Sequence, residues 1–132
     1  MSTPGFVALC LAAAVPFWVL DAIWLGVVSK TFYRKSLGPL MARKVQVLPA
    51  ALFYLAYPVG LALFVLTPNW GAYGPLQMAG LGALFGLFCY GTYDLVNQAT
   101  LEGWPWRLTL VDMTWGMCAS GASCAVARVA MG

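Results

Sequence analysis

The stretch FVALCLAAAVPFWVLDAIWLGVV, residues 6–28, decides the fold, because it is apolar throughout except for one carboxylate, Asp21. At about 1.5 Å per residue, a helix of this length crosses a hydrocarbon layer of about 30 Å. Similar apolar stretches recur three times further along the chain. The sequence therefore predicts an all-α integral membrane bundle of four transmembrane helices, at about residues 5–28, 46–67, 75–97 and 105–127.

The overall composition agrees with a membrane protein. Of the 132 residues, 62% are hydrophobic and 8% are charged, whereas soluble domains have roughly 25% charged residues. Little of the chain remains outside the four spans, so we expect one transmembrane domain over residues 1–132, with no soluble module and no nucleic-acid partner. The first apolar run is too long for a signal peptide and no Lys or Arg precedes it, so we expect no cleavage there.

The positive charges predict the topology. Six of the seven Lys and Arg lie in the first and third connections, and only Arg128 lies on the other side; the six are Lys30, Arg34, Lys35, Arg43, Lys44 and Arg107. By the positive-inside rule these connections are cytoplasmic, and both termini and the second connection of this multi-pass protein are outside. The first connection interleaves its cations with apolar residues, which predicts a short basic interfacial segment; an ordered loop is the alternative.

Three aspartates lie inside the predicted spans, and the topology places Asp21, Asp94 and Asp112 in one layer of the cytoplasmic half. Each lies about 8 to 13 Å from the cytoplasmic end of its helix at the helical rise. A carboxylate at the centre of a membrane helix costs roughly 2.5 to 3.5 kcal/mol on insertion scales. Three of them therefore require a shared polar pocket, a partner or a bound ligand.

Other polar and aromatic residues share helical faces with these aspartates. The predicted polar pocket comprises Asp21, Trp24, Tyr90, Tyr93, Asp94, Asn97, Thr109, Asp112 and Trp115. Lipid headgroups or counter-ions would be contacted by Arg34, Arg43, Lys44 and Arg107. The alternative is a purely structural network of hydrogen bonds with Arg107 or Arg43 as counter-ion. DAIW at 21–24 and DMTW at 112–115 also share a DxxW pattern, which is too short to establish an inverted repeat.

The sequence predicts no cofactor. It contains no His, and its four cysteines lack CxxC spacing, so we interpret them as small apolar side chains. A Mg²⁺ ion on Asp21, Asp94 and Asp112 is the one metal site that the residues would suit. Small residues at Gly82xxxGly86, and at Gly116, Ser120 and Cys124, predict close helix packing.

The run YGTYDLVNQATLEGWPWRLTLVDMTWG, residues 90–116, with DAIWLG at 21–26 and FYRKSLG at 32–38, resembles the DUF2177 family of small bacterial membrane proteins. The resemblance covers nearly the whole chain. It implies a four-helix inner-membrane protein and brings no established activity with it. The residues that match the family motifs are Asp21, Trp24, Tyr33, Tyr93, Asp94, Asn97, Thr100, Asp112 and Trp115.

The distribution of polar groups separates three classes of function. A transporter needs polar groups along the whole crossing, but residues 5–17, 58–66 and 76–88 contain no ionisable side chain except Cys. An enzyme acting on a lipid or lipid phosphate at the inner leaflet suits the aspartates better, although they form no recognised catalytic signature. We therefore predict a binding or accessory role, including subunit or assembly factor of a larger membrane complex, with membrane lipids, other membrane subunits or a second copy as partners.

Overall fold

The computed structural model describes residues 2–132, without the side chains of Ser29 and Lys30, and it is helical in all its regular elements. The sequence prediction for the Lys30 side chain therefore lies outside what the structure describes. The first helical stretch is α1 (Phe6–Trp24), continued by a π-helical segment (Leu25–Tyr33) and α2 (Arg34–Leu37), and a 3-10 turn (Gly38–Leu40) follows it. The second is α3 (Val47–Leu61), continued by another π-helical segment (Ala62–Leu66) and α4 (Thr67–Asn69). The remaining two are α5 (Pro75–Thr100) and α6 (Trp106–Met131). The prediction of an all-α protein is confirmed.

Three helical stretches among the described residues are long and apolar enough to cross a membrane: Phe6–Val28, Val47–Asn69 and Pro75–Thr100. Their outward surfaces are apolar too, since Leu76 is 86% exposed and Val47 is 75% exposed. Such surfaces suit lipid, where apolar side chains need no burial within the protein. The fourth predicted span corresponds to α6, which is as long as α5 but is not among these three stretches.

Two element boundaries differ from the sequence prediction by four residues or more. The first helix does not end at residue 28, because the helical path continues to Leu37 and takes in half of the predicted interfacial segment. It stops where Gly38 adopts φ +53, a conformation that favours glycine, and Pro39 follows. In addition, α6 continues past residue 127 to Met131.

The pair α5 and α6 forms the closest contact in the molecule, and it depends on small residues. A Cβ atom on Gly82 would lie 2.7 Å from the Ser120 carbonyl oxygen, and one on Gly121 would lie 2.8 Å from that of Ala79. Both distances are too short for any residue larger than glycine. The predicted small-residue motifs of the two helices therefore face each other, and the prediction of close packing is confirmed.

The remaining contacts place α1 against both α3 and α6. The backbones of α3 and α5 have few close approaches, and α3 meets α5 through side chains near its C-terminal end, where the Tyr57 and Phe85 ring centroids are 5.8 Å apart. The π-helical segment that follows α3 packs on α5. Phe85 of α5 fills this contact. Its ring would lie 3.3 Å from a Cβ atom on Gly60, and it stacks on the Phe64 ring with 6.0 Å between the centroids. The bundle is thus closed at the end near Trp70, and a gap separates α3 from α5 at the end near the two basic connections.

Candidate functional site: an aromatic and acidic cavity

A cavity of about 490 Å³ lies between α1, α3, α5 and α6. Its volume falls within the range of about 300 to 1,000 Å³ that is typical of small-molecule sites. Aromatic side chains and two carboxylates form most of its wall: Asp21, Trp24, Leu25, Tyr33, Phe53, Tyr57, Cys89, Tyr90, Tyr93, Asp112 and Trp115. It occupies the half of the bundle next to the connections that carry six of the seven Lys and Arg.

Asp21 anchors one side of the cavity, on the last turn but one of α1. It is 6% exposed, and each of its carboxylate oxygens accepts a hydrogen bond from an aromatic side chain. Tyr54 of α3 donates to one oxygen, and the indole N–H of Trp115 donates to the other at 2.9 Å. This one side chain therefore joins three helices.

The position of Tyr54 follows from a proline one turn further along α3. Pro58 has no N–H, so the carbonyl of Tyr54 lacks its usual partner within the helix. The indole N–H of Trp18, on α1, donates to that carbonyl at 2.9 Å instead. The contact fixes α3 against α1 and holds the Tyr54 hydroxyl near Asp21.

Asp112 anchors the opposite side, on the second turn of α6. The Tyr33 hydroxyl donates to its Oδ1 at 2.7 Å, and the Trp24 indole donates to the same hydroxyl at 2.9 Å. Tyr33 lies beyond the candidate span that ends at Val28. Burial first, and the Asp112 charge second, raise the pKa of Tyr33 above its usual value, so the phenol stays neutral and remains a donor.

The two tryptophans of the DxxW pattern meet inside the cavity. The Trp24 and Trp115 rings stack with centroids 4.3 Å apart and planes 6° apart. Each reaches across to the aspartate of the other segment, Trp115 directly and Trp24 through Tyr33. The short sequence similarity between the segments thus corresponds to a reciprocal arrangement in space.

The cavity opens sideways, through the gap between α3 and α5. Phe53 on α3 is 41% exposed, Tyr93 on α5 is 58% exposed, and Cys89 between them is also exposed. At the closed end, the Tyr57 hydroxyl is 2.6 Å from the Ser120 Oγ. The Tyr90 ring packs nearby against the backbone of α6, at Gly116. A Cβ atom at this position would collide with the ring, so only glycine leaves room for it.

Asp94 lies beside this cavity rather than in its wall. It is 0% exposed, and neither carboxylate oxygen has a hydrogen-bond partner among the described residues. It lines a second cavity of about 70 Å³ together with Asp112, Tyr33 and Tyr93, among others. The two cavities share those three residues, so they are neighbours separated by the Asp112 and Tyr33 side chains.

The structure brings seven of the nine predicted pocket residues to these two cavities, six to the larger and Asp94 to the smaller. Asn97 and Thr109 line neither. Thr109 is fully buried and belongs to a ring of hydrogen bonds with Gln98 and Trp104, which secures the turn between α5 and α6. The rotation of α6 directs its hydroxyl toward that turn instead of toward Asp21.

The predicted counter-ions lie away from the carboxylates. The Arg107 guanidinium lies 5.4 Å from the centroid of the Phe32 ring, in a cation–π contact. Arg34, Arg43 and Lys44 are exposed at the surface. Among the described side chains, the hydrogen-bond donors to Asp21 and Asp112 are tyrosine and tryptophan.

Sequence reasoning missed the contribution of α3. That helix carries no charge and the predicted pocket includes none of its residues, yet it supplies Phe53, Tyr54 and Tyr57. Tyr57 lies three and four residues after the other two, so the three rings share one side of the helix. This spacing is the feature of the sequence from which an aromatic face could have been predicted. Tyr33 matched a family motif but was not placed in the pocket.

The described residues contain no group of three or more His, Cys, Asp or Glu side chains that could hold a metal ion. The predicted set for Mg²⁺ is divided, because Asp21 lines only the larger cavity and Asp94 only the smaller. The arrangement therefore suits an organic ligand with an apolar part better than a bare ion.

Comparison with known proteins gives one match. The model of a family described as predicted membrane protein, DUF2177, matches residues 6–129, which is nearly the whole chain. No curated protein and no solved structure matches the chain.

Proposed function

Because this chain belongs to the DUF2177 family of predicted membrane proteins, we propose that it is an integral membrane protein that binds an amphiphilic molecule in its aromatic and acidic cavity. The lateral opening of the 490 Å³ cavity carries this proposal. A gap between two helices faces the acyl chains of the bilayer, so a lipid-like molecule can enter without crossing water. By holding such a molecule, the protein would fill a binding or accessory role in a larger membrane complex.

The closed end of the bundle supports binding rather than transport. Toward Trp70 the interior is filled by buried apolar side chains, among them Leu9, Leu66 and Met78. An ion or polar solute moving through needs polar groups to replace its hydration shell along the whole way. A one-sided cavity suits a molecule that enters from one leaflet and stays there.

We further propose that α6 crosses the membrane and that both termini lie outside. The support is physical: α6 has 26 residues, as α5 does, and packs closely along it. If α5 crosses, its antiparallel partner crosses with it. The six cations at the cavity end then place the cavity in the cytoplasmic leaflet by the positive-inside rule.

The proposal is tested by the lipids that copurify with the protein. Cys89 lies at the mouth of the cavity, and Cys118 is an exposed cysteine on α6 that lies outside it. We expect native mass spectrometry to find a lipid-sized adduct on the wild type and on Cys118→Trp. In Cys89→Trp the large indole narrows the mouth, so the adduct should be lost.

Equal adducts on both variants would contradict binding in this cavity. Circular dichroism and detergent stability of the two variants provide the check that both fold. Conversion of the copurified lipid into a species of new mass during incubation would favour the alternative, an enzyme acting on a lipid or lipid phosphate at the same leaflet.

A further inference from the structure

We infer that the occupant of the cavity carries a positively charged organic ammonium group, held at Asp112 and Asp21 between aromatic faces. This inference rests on the proposed binding function and names the chemistry of the ligand. It excludes an anionic headgroup and a purely neutral lipid as the preferred occupant. It is carried by the charge balance of the site, by one unpartnered buried carboxylate and by the aromatic walls.

The charge balance of the larger cavity is negative. Among the side chains that the structure describes, its wall contains two carboxylates and no Lys or Arg. The hydrogen bonds that these carboxylates accept come from uncharged donors, Tyr54 and Trp115 for Asp21 and Tyr33 for Asp112. Such donors orient a carboxylate but do not neutralise it, so the described side chains of the site supply no positive charge to balance the two carboxylates.

Asp94 points to the same missing group. It is completely buried, and both of its carboxylate oxygens lack a partner among the described residues. Its carboxyl group lies beside that of Asp112, so two acidic side chains adjoin the same point of the cavity wall. The cavity that Asp94 lines adjoins the larger one at Asp112, Tyr33 and Tyr93. A cation next to Asp112 would therefore be close to Asp94 as well.

The aromatic walls decide between an organic cation and a metal ion. A metal ion prefers several oxygen ligands, and the described residues provide no cluster of three suitable side chains. An alkylammonium group instead binds on aromatic faces beside a carboxylate. Tyr57, Tyr90 and Trp115 supply such faces around Asp21, while the exposed Phe53 and Tyr93 border the gap that an apolar chain would occupy.

The test uses two cysteines of the full-length protein in uncharged maltoside micelles. Methyl methanethiosulfonate modifies exposed thiols, and peptide mass spectrometry measures the rate at each cysteine separately. A ligand in the cavity should protect Cys89 but not Cys118, which serves as the internal reference. The probes share a chain of twelve carbons: dodecyltrimethylammonium, dodecanol and dodecanoate. Tetramethylammonium, which has no long chain, separates a free amine from a lipid-like ligand.

We expect dodecyltrimethylammonium to protect Cys89 at about one tenth of the concentration that dodecanol requires, which corresponds to one carboxylate–ammonium contact. Dodecanoate should protect least. The preference should disappear in Asp112→Asn, whose side-chain oxygen still accepts the Tyr33 hydrogen bond, and shrink in the independent variant Asp21→Asn. Glu102→Gln removes an exposed carboxylate outside the cavity and should keep the full preference.

Equal protection by all three long-chain probes would overturn the ammonium inference and leave the binding function standing. Loss of the preference in Glu102→Gln would also overturn it, because the effect would then come from overall charge. Absence of a copurified lipid adduct, together with no protection by any probe, would instead count against the binding function itself. Protection of Cys89 by tetramethylammonium alone would overturn the inference that the ligand is lipid-like. It would leave recognition of an ammonium group standing.

Discussion

Among the described side chains, those that hold Asp21 and Asp112 are tyrosine and tryptophan rather than arginine or lysine. The arrangement keeps Asp21 and Asp112 oriented while leaving their charge available to a ligand. Tyr33 is the most connected of these donors, because it receives a hydrogen bond from Trp24 and gives one to Asp112. Removing its single hydroxyl therefore breaks two hydrogen bonds.

Tyr33→Phe should lower the free energy of unfolding by about 1 to 2 kcal/mol, because a carboxylate oxygen and an indole N–H both lose their partner. Unfolding in mixed micelles of rising denaturing detergent measures the change. Tyr73→Phe is the matched control, since Tyr73 lies at the opposite end of the bundle and does not line the cavity. A loss of the same size in both variants would contradict the assigned role of Tyr33.

The helices are held together by two devices that differ in kind. The helices α5 and α6 are joined by the close approach of their backbones at small residues. The helices α1 and α3 are joined by a side chain of α1 that donates a hydrogen bond to a backbone carbonyl of α3 left without a partner by a proline. The first depends on shape and tolerates no added atom at the contact. The second depends on one indole N–H, which replaces the N–H that Pro58 lacks.

Gly82→Ala should destabilise the protein by about 1 to 3 kcal/mol, as expected for overpacking in a tight contact. The added methyl group would lie 2.7 Å from the Ser120 carbonyl oxygen. Gly80→Ala lies on the same helix, where a Cβ atom meets nothing within 4 Å. That control should be neutral or more stable by up to about 1 kcal/mol, owing to the higher helix propensity of alanine.

Thermal unfolding in detergent compares the two glycine variants directly. The order of stability should be Gly80→Ala, then wild type, then Gly82→Ala. A Gly82→Ala variant as stable as wild type would show that α5 and α6 do not approach each other as closely as the structure has them.

Trp18→Phe should lower the free energy of unfolding by about 1 kcal/mol, because the Tyr54 carbonyl then loses the indole donor that reaches it from α1. A double-mutant cycle with Pro58→Ala isolates this contribution. Alanine at position 58 restores a backbone N–H that can serve the Tyr54 carbonyl within α3. Trp18→Phe should therefore cost clearly less in the Pro58→Ala background, and an equal cost in both backgrounds would contradict the pairing.

The molecule as a whole has a closed end and an end whose cavity opens sideways between α3 and α5. The closed end gathers around Trp70, where the Arg128 guanidinium lies 4.7 Å from the ring centroid and donates to the Tyr73 carbonyl at 2.9 Å. The other end carries the cavity and six of the seven Lys and Arg. Both the proposed topology and the proposed function depend on this difference between the two ends.

The proposed topology predicts opposite results for reporters at the two ends. Alkaline phosphatase folds only outside the cytoplasm, so its fusion after Gly132 should be active, and a green fluorescent protein fusion there should be dark. Fusions after Lys44, in the first connection, should give the reverse pattern. A fluorescent fusion after Gly132 would overturn the crossing of α6 or the placement of the termini.

The sequence by itself determined that the protein is a membrane protein, that it is helical, and which glycines allow close packing. Each of these is a local property, because a run of apolar residues or a four-residue glycine spacing is complete within one segment. The burial of Asp21 and Asp94 and the partial burial of Asp112 were also predictable, since the apolar residues around each aspartate are its neighbours in the chain.

Only the tertiary structure decided how those aspartates are grouped. It placed Asp94 in a separate small cavity, turned Thr109 away, and brought Tyr54 from a helix without charge to Asp21. These outcomes depend on the rotation of each helix and on which helices are neighbours. Both are set by contacts between side chains far apart in the chain, as the pairing of Trp18 with the Tyr54 carbonyl illustrates, and no single segment contains that information.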